Sequence, residues 1–261
     1  MPDNVPTADG GEENPTTPTD SAADQLIEVA AIAGGLAHEV RNALSTLRVG
    51  LQLLDEDWRE LDTTEDGATT DIYDCARRGR KRIATLLKES GRLETILNDF
   101  LEFVRKRELR LSDVDLNDLA TDVAEFFEPQ AQNHGIDLTL SLADAPLRCR
   151  LDAGLIKQAV LNVLINAQQA MESGGRIEMA LSREDEQMAR LDVIDNGPGM
   201  AADTLSRIFE AYYSTKRGGS GLGLAMTRRI VRAHHGTVRA HSTPGEGTRF
   251  SFRIPLAGVE H

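Results

Sequence analysis

Two long apolar stripes, separated by one short polar break, constrain this chain more than any other feature. Val29, Ala33, Leu36, Val40, Ala43 and Leu47 alternate four and three residues apart, and Leu51, Leu54, Trp58 and Leu61 resume the alternation after one shift. That spacing is a helical seam of the coiled-coil or bundle kind. Residues 62–71 (DTTEDGATTD) read as a polar turn around Gly67. A second helix follows from about Ile72 to Arg107, with Ile83, Leu86, Leu93, Ile96, Phe100 and Val104 on its apolar face. Two long helices joined by one turn make an antiparallel hairpin. One hairpin cannot bury both stripes, whereas two hairpins form a four-helix bundle, so the pattern predicts a homodimer.

Residues 1–22 stand apart from this. Pro2, Pro6, Pro15 and Pro18 lie among Asp, Glu, Thr and Gly, and residues 1–25 hold six acids and no base. Little apolar surface offsets the cost of ordering, which predicts a disordered acidic tail. The whole chain has 29 Lys+Arg against 42 Asp+Glu, a net charge of −13. Such a balance argues against a nonspecific nucleic-acid coat or a polybasic membrane anchor. The sequence has neither a run of 18 apolar residues nor a basic N-terminus leading into an apolar stretch. No membrane segment and no secretory signal are expected. Cys75 and Cys149 are far apart and lack partners at metal-ligand spacing. They read as free thiols of a reducing, cytoplasmic setting. The basic run Arg77, Arg78, Arg80, Lys81 and Arg82 folds back near Asp55, Glu56, Asp57 and Glu60. Ion pairs across the hairpin, each contributing roughly 0–1 kcal/mol, explain it better than an anionic partner does.

Beyond Leu111 the periodicity becomes mixed. Leu116–Phe127 reads as a helix with Asp115 at its N-cap, and Ile136–Leu140 alternates like a strand. A long helix spans Asp152–Met171, and strands are expected around Ile177–Ser182 and Arg190–Ile194. Glycine-rich segments lead to a helix over roughly Leu222–His235, with Gly236 as its C-cap, and Val238–His241 and Arg249–Ile254 close the set. The order of elements suits an α/β sandwich rather than a βαβ repeat.

Four segments carry candidate chemistry. In Gly34–Asn42, His38 leaves the apolar seam, with Glu39 beside it and Asn42 one turn on. An exposed imidazole next to a carboxylate can serve as a nucleophile whose proton is managed by that carboxylate; taken alone, the pair is better read as a solvated surface histidine. Gln158, Asn162 and Asn166 share a helix face, with Leu161, Val163, Leu164 and Ile165 filling the others. Such amides either line a polar pocket or bond to neighbouring loops. A strand runs into Asp195-Asn196-Gly197-Pro198-Gly199. A carboxylate there can accept from an exocyclic amine such as that of adenine, or it ends an ordinary turn. Gly218–Leu224 opens the last long helix, just after Lys216. Unobstructed N–H groups at a helix start suit phosphates. The segment is neither a Walker loop nor a Rossmann fingerprint, and a flexible loop is its plainer reading.

In this order the segments resemble the histidine protein kinases of two-component signalling, over about residues 25–256. Gly34–Asn42 is similar to the family's H box, Gln158–Ala167 to its N box, and Asp195–Gly199 to its first glycine box. Ile208–Lys216 resembles the F box, Gly219–Leu224 the second glycine box, and Pro244–Phe250 the closing strand motif. The nearest likeness is to the soluble, nitrogen-regulatory kinase core. The resemblance implies α plus α/β architecture: an antiparallel helical hairpin dimerising into a four-helix bundle over residues 23–110, then a Bergerat-type α/β sandwich ATP-binding domain over 111–258. It implies that His38 takes the γ-phosphate of ATP and passes it to an aspartate of a response-regulator receiver domain, with Glu39 as general base. Asn166 would ligate Mg²⁺ and Asn162 would line the phosphates. Asp195 would bind the adenine amine in a pocket shaped by Gly197 and Gly199. Lys216, Gly219, Gly221, Leu222, Gly223 and Thr248 would complete the ATP site. Glu39 and Asn42 also match the Glu-x-x-Asn pattern tied in this family to dephosphorylating the partner. No sensor domain is recognised, so input would come from an upstream protein, the tail or the hairpin.

Two departures stand out. Ala43 replaces the family's usual proline, which weakens the expected helix kink. The hairpin is also long: at ~1.5 Å per residue, an extension of roughly two heptads shared by both helices adds about 10 Å. Competing readings are an ATP-binding pseudokinase scaffold, or a Bergerat-fold ATPase without a phosphoaccepting histidine.

Overall fold

The computed structural model describes residues 18–63, 69–105, 108–171, 174–216 and 220–258, with side chains from residue 33 onward except at 60–63, 69–72 and 103. Residues 1–17 of the expected tail therefore lie outside the described residues, as does the centre of the 62–71 turn. Helix α1 runs Pro18–Thr63, starting inside the segment read as tail. A proline's fixed φ suits a first helical turn, which the composition argument overlooked. Helix α2 runs Thr69–Val104.

Small residues let α1 and α2 approach closely. A Cβ at Gly50 would lie 2.7 Å from Leu86, and Gly79 meets Leu54 at 3.5 Å. Ala43, Cys75 and Ile96 are buried between the helices. Asp57 is also buried, and it pairs with Arg78 at 3.6 Å and Arg82 at 2.5 Å. Arg82 donates to the Leu53 carbonyl as well. The basic run thus meets the acids of α1 as expected, through Asp57; Asp55 instead pairs within its own helix with Arg59. Much apolar surface of the hairpin stays outside: Leu51 and Trp58 of the first stripe are each 57% exposed, and Leu44, Leu87 and Leu101, off the stripes, are exposed too.

The second half builds one core. Strand β1 (Ser112–Asp115) pairs antiparallel with β3 (Arg148–Leu151). Helix α3 (Leu116–Asn133) starts at Asp115, whose Oδ1 accepts from the N–H groups of Asn117 at 3.0 Å and Leu147 at 3.2 Å. One carboxylate therefore caps a helix and ties down the loop before β3. The main sheet has the order β2-β4-β5-β7-β6, formed by β2 (Ile136–Ser141), β4 (Gly175–Arg183), β5 (Met188–Asp195), β6 (Thr237–Thr243) and β7 (Gly247–Pro255). Its β2–β4 pair is parallel and the other pairs are antiparallel.

Alternation sets the two faces of this sheet. Ile177, Met179, Leu191, Val193, Phe250 and Phe252 are buried in one core with α3 and α4 (Ala153–Ala170). Helix α6 (Gly223–Ala233) joins the same layer through Ile230 and Val231, while α5 (Ala202–Arg207) is a short helix before it. Burying a Leu, Ile or Phe fully is worth about 1.5–3 kcal/mol each, and this cluster is the main source of stability in the domain. At the end of α6, His235 takes the left-handed conformation (φ 56°), and His235 and Gly236 donate to Arg232 and Val231 at 2.9 Å each. This Schellman end corrects the expectation for Gly236. Gly236 is small for a different reason: a Cβ there would lie 2.5 Å from the Arg253 carbonyl.

Candidate active site

The N-cap of α4 is Asp152, whose side chain accepts from Leu155 at 3.2 Å. The helix carries Asn162 and Asn166 half-buried toward α6 and the segment before it, while Ile165, expected to pack, is 36% exposed. Asn162 Nδ2 donates to the carbonyl of Gly223 at 3.1 Å. Thr227 Oγ1 sits between the carbonyls of Ala159 (3.2 Å) and Gly223 (3.0 Å), locking the start of α6 onto α4. One turn along α4, the ammonium of Lys216 donates to Asn166 at both its carbonyl O (2.8 Å) and its Oδ1 (2.7 Å). Burial lowers the Lys216 pKa to about 8, with the nearby Asp195 charge opposing the shift.

Asp195 ends β5 and is 6% exposed. Its Oδ1 accepts from the N–H of Gly197 at 2.9 Å, and the Thr248 backbone also bonds to it. Desolvation nevertheless holds its carboxyl above the usual range. Gly199 has φ 66°, and a Cβ there would fall 2.0 Å from the Thr243 carbonyl, so the turn admits only glycine. Thr248 Oγ1 lies 2.9 Å from Ser242 Oγ, which donates to Gly247 and accepts from Met200, each at 2.8 Å. Ser242 is thus a supporting residue that no spacing in the sequence singles out.

Gly221 (φ 68°) faces Tyr212 (φ 62°), and the Tyr212 N–H donates to the Gly221 carbonyl at 3.1 Å. Leu222 is buried and packs with Ala225, Ala211, Tyr212 and Met226 against Phe100 of α2. Gly219 lies outside the described residues. His38 and Asn42 are exposed on α1, and Glu39 is half-buried. The ring of Tyr212 covers Gly35, one turn before His38. The structure therefore gathers Asn162, Asn166, Lys216 and Gly223 at one end of α4. Asp195, Gly197 and Thr248 form a second group, coupled to the first through the charges of Lys216 and Asp195. His38 stands on a separate element that the same domain touches through Tyr212.

A divalent cation fits this donor set. Two oxygens of Asn166 already surround a positive charge, and hard oxygens suit Mg²⁺. Among the described residues no group of three or more His, Cys, Asp and Glu side chains forms a protein-only metal site.

The class of protein is a two-helix hairpin exposing a histidine, followed by an α/β domain with a buried carboxylate and an amide–lysine cluster. Residues 29–109 match the family model of the His Kinase A (phospho-acceptor) domain, and residues 151–258 match that of the histidine kinase-, DNA gyrase B-, and HSP90-like ATPase. Sensor histidine kinase ZraS of Klebsiella oxytoca is 33% identical over 91% of this chain and 48% of its own length. Signal transduction histidine-protein kinase AtoS of Escherichia coli (strain K12) is 30% identical over 90% of this chain and 36% of its own. The structure of full-length ShkA in complex with AMPPNP matches with a TM-score of 0.57 at 30% identity, over 89% of this chain and 47% of that one. A nucleotide-free catalytic domain of histidine kinase ThkA matches with a TM-score of 0.51 at 29% identity, over 56% of this chain and 98% of that one. The chain belongs to the sensor histidine kinases of two-component signalling. It spans about half or less of the length of these two curated relatives. Among the described residues no helix is long and apolar enough to cross a membrane.

Proposed function

We propose that this chain autophosphorylates His38 from Mg²⁺-ATP and passes the phosphoryl group to an aspartate of a response-regulator receiver domain. The observation that carries the reading is the pairing of an exposed His38, beside the half-buried Glu39 on α1, with a domain that buries Asp195 and clusters Asn162, Asn166 and Lys216. Asp195 accepts from the adenine amine, with Gly197 and Gly199 keeping the turn beside it free of side chains. Lys216 and the backbone of residues 219–223 hold the phosphates, with Asn162 and Thr248 lining the site. Asn166 ligates Mg²⁺, which when bound neutralises phosphate charge. A ring nitrogen of His38 attacks the γ-phosphorus in line, forming an N–P bond as the bond to the β–γ bridging oxygen breaks and ADP leaves. Glu39 takes the proton from the other ring nitrogen. Asn42, one turn along, orients a water for hydrolysis of the partner's acyl phosphate, which makes the chain a phosphatase as well. The exposed apolar stripe of the hairpin is covered by a second copy, giving a four-helix bundle. The domains divide at about residue 110, with the hairpin starting at Pro18, inside the segment read as the acidic tail at 1–22, and the setting is cytoplasmic.

The test is a chase. Protein labelled from γ-labelled ATP is freed of nucleotide and mixed with a receiver domain. Label moving to the receiver supports the reading. Label that never leaves the kinase, with any of a panel of receivers, sinks the phosphotransfer half of it.

A further inference from the structure

Glu39 is held from across the hairpin. Its Oε2 accepts from Nη2 of Arg92 on α2 at 2.8 Å. The other terminal nitrogen of that guanidinium, Nη1, donates to Oε1 of Glu89 at 3.2 Å, one turn earlier on α2. None of the three side chains is more than 28% exposed. His38, beside Glu39, is open to solvent. The Arg92 Nε is buried without a hydrogen bond. A guanidinium braced on one carboxylate fixes the direction of a second, which a mobile ammonium does poorly. From the other side, the Glu39 charge reaches Tyr212 of the second domain, so the carboxylate sits where the two domains meet.

We propose that Arg92 is a positioning residue: braced by Glu89, it holds Oε2 of Glu39 so that Oε1 is presented to the ring of His38. The proposal rests on the reading of His38 as phosphoacceptor and Glu39 as its base. Arg92 touches neither ATP nor the reacting atoms; it acts through Glu39.

The experiment follows the time course of autophosphorylation of the full chain with γ-labelled ATP and Mg²⁺, comparing wild type, Arg92→Gln, Arg92→Lys, Glu39→Gln and the double variant Glu39→Gln/Arg92→Gln. In Arg92→Gln, the first-order rate constant at saturating ATP falls about 10- to 100-fold with the half-saturating ATP concentration unchanged, the scale of a misplaced base. Arg92→Lys recovers part of the loss, and in the Glu39→Gln background Arg92→Gln costs nothing further. A merely structural pair, also non-additive because its members touch, would lower the fraction of active protein and leave the rate constant per active molecule unchanged. Should Arg92→Gln fail to fold, Glu89→Gln loosens the brace and gives a smaller loss with the same non-additivity. Wild-type rates in Arg92→Gln, faster rates, or losses that multiply overturn the positioning proposal alone. A wild-type chain that takes no label on His38 overturns the underlying reading with it.

Discussion

The ammonium of Lys216 lies 2.7 Å from Oδ1 of Asn166 and 2.8 Å from the same residue's carbonyl oxygen. On the proposed reading, Lys216 holds the oxygens that Asn166 would offer to Mg²⁺, and it would move onto phosphate when Mg²⁺-ATP binds. Losing a charged hydrogen-bond donor to phosphate costs about 1.5–3 kcal/mol. Lys216→Met should therefore weaken Mg²⁺-ATP binding about 10- to 100-fold by titration calorimetry. Unchanged affinity would remove Lys216 from the phosphate site.

The same lysine sets a pH dependence. Its pKa falls from 10.5 to about 8, chiefly because burial disfavours the charged form. Between these values the unfolded chain binds more protons than the folded one. The contribution of this group to stability therefore rises as pH increases from about 8 toward 10.5, and the folded state carries the cost of a buried charge below that window. Carbon NMR of the lysine Cε in the nucleotide-free protein should show one resonance titrating near pH 8, absent in Lys216→Arg. A Lys216 midpoint above 10 would contradict the burial.

Gly35 tests how the two domains touch. A Cβ there would lie 2.3 Å from Cδ2 of Tyr212. Tyr212 sits at φ 62° with its hydroxyl buried and without a hydrogen bond. Gly35→Ala should stabilise the isolated helix by about 1 kcal/mol while expelling Tyr212 from its seat. Hydrogen exchange should thus speed up around residues 211–213 and 222–226 and not along α1. Unchanged exchange at both segments would show that the contact does not hold the domains together.

His234 fastens α6 to α4. It is buried, with Nδ1 2.8 Å from the Ile230 carbonyl and Nε2 accepting from the N–H of Asp152 at 3.0 Å. His234→Ala strands the N–H at the very residue that caps α4, a loss of about 1–3 kcal/mol. Urea unfolding of the variant should show it, and a change below 0.5 kcal/mol would mean that water replaces the ring without cost.

Much of this was legible in the sequence, for reasons that differ by element. The hairpin showed because a seam of fourth- and third-residue spacing survives in any helix, and the Asp115 cap showed because capping is local; Asp152 was read as helix when it is the cap before it. Strands β1 and β3 were missed: each is four residues long, and they pair across 30-odd intervening residues, so no run of alternation announces them. The amide face, Asp195 and the glycine turns were readable as a set, since backbone geometry forces glycine at Gly199 and Gly221. Arg92, Ser242 and His234 were not, because each acts on a residue far along the chain. Their partners Glu39 and Asp152 lie 53 and 82 residues away from Arg92 and His234. The Schellman end of α6 was misplaced by one residue, since histidine is a poor advertisement for a left-handed backbone.

The central claim is that His38 receives phosphate from ATP, and one measurement bears on it most directly: incubation with γ-labelled ATP and Mg²⁺, wild type beside His38→Gln, followed by acid and base treatment. The account predicts label on the wild type that is lost in acid, survives base and is absent from His38→Gln. Label that persists in His38→Gln, or no label on a wild-type protein that demonstrably binds ATP, would contradict it.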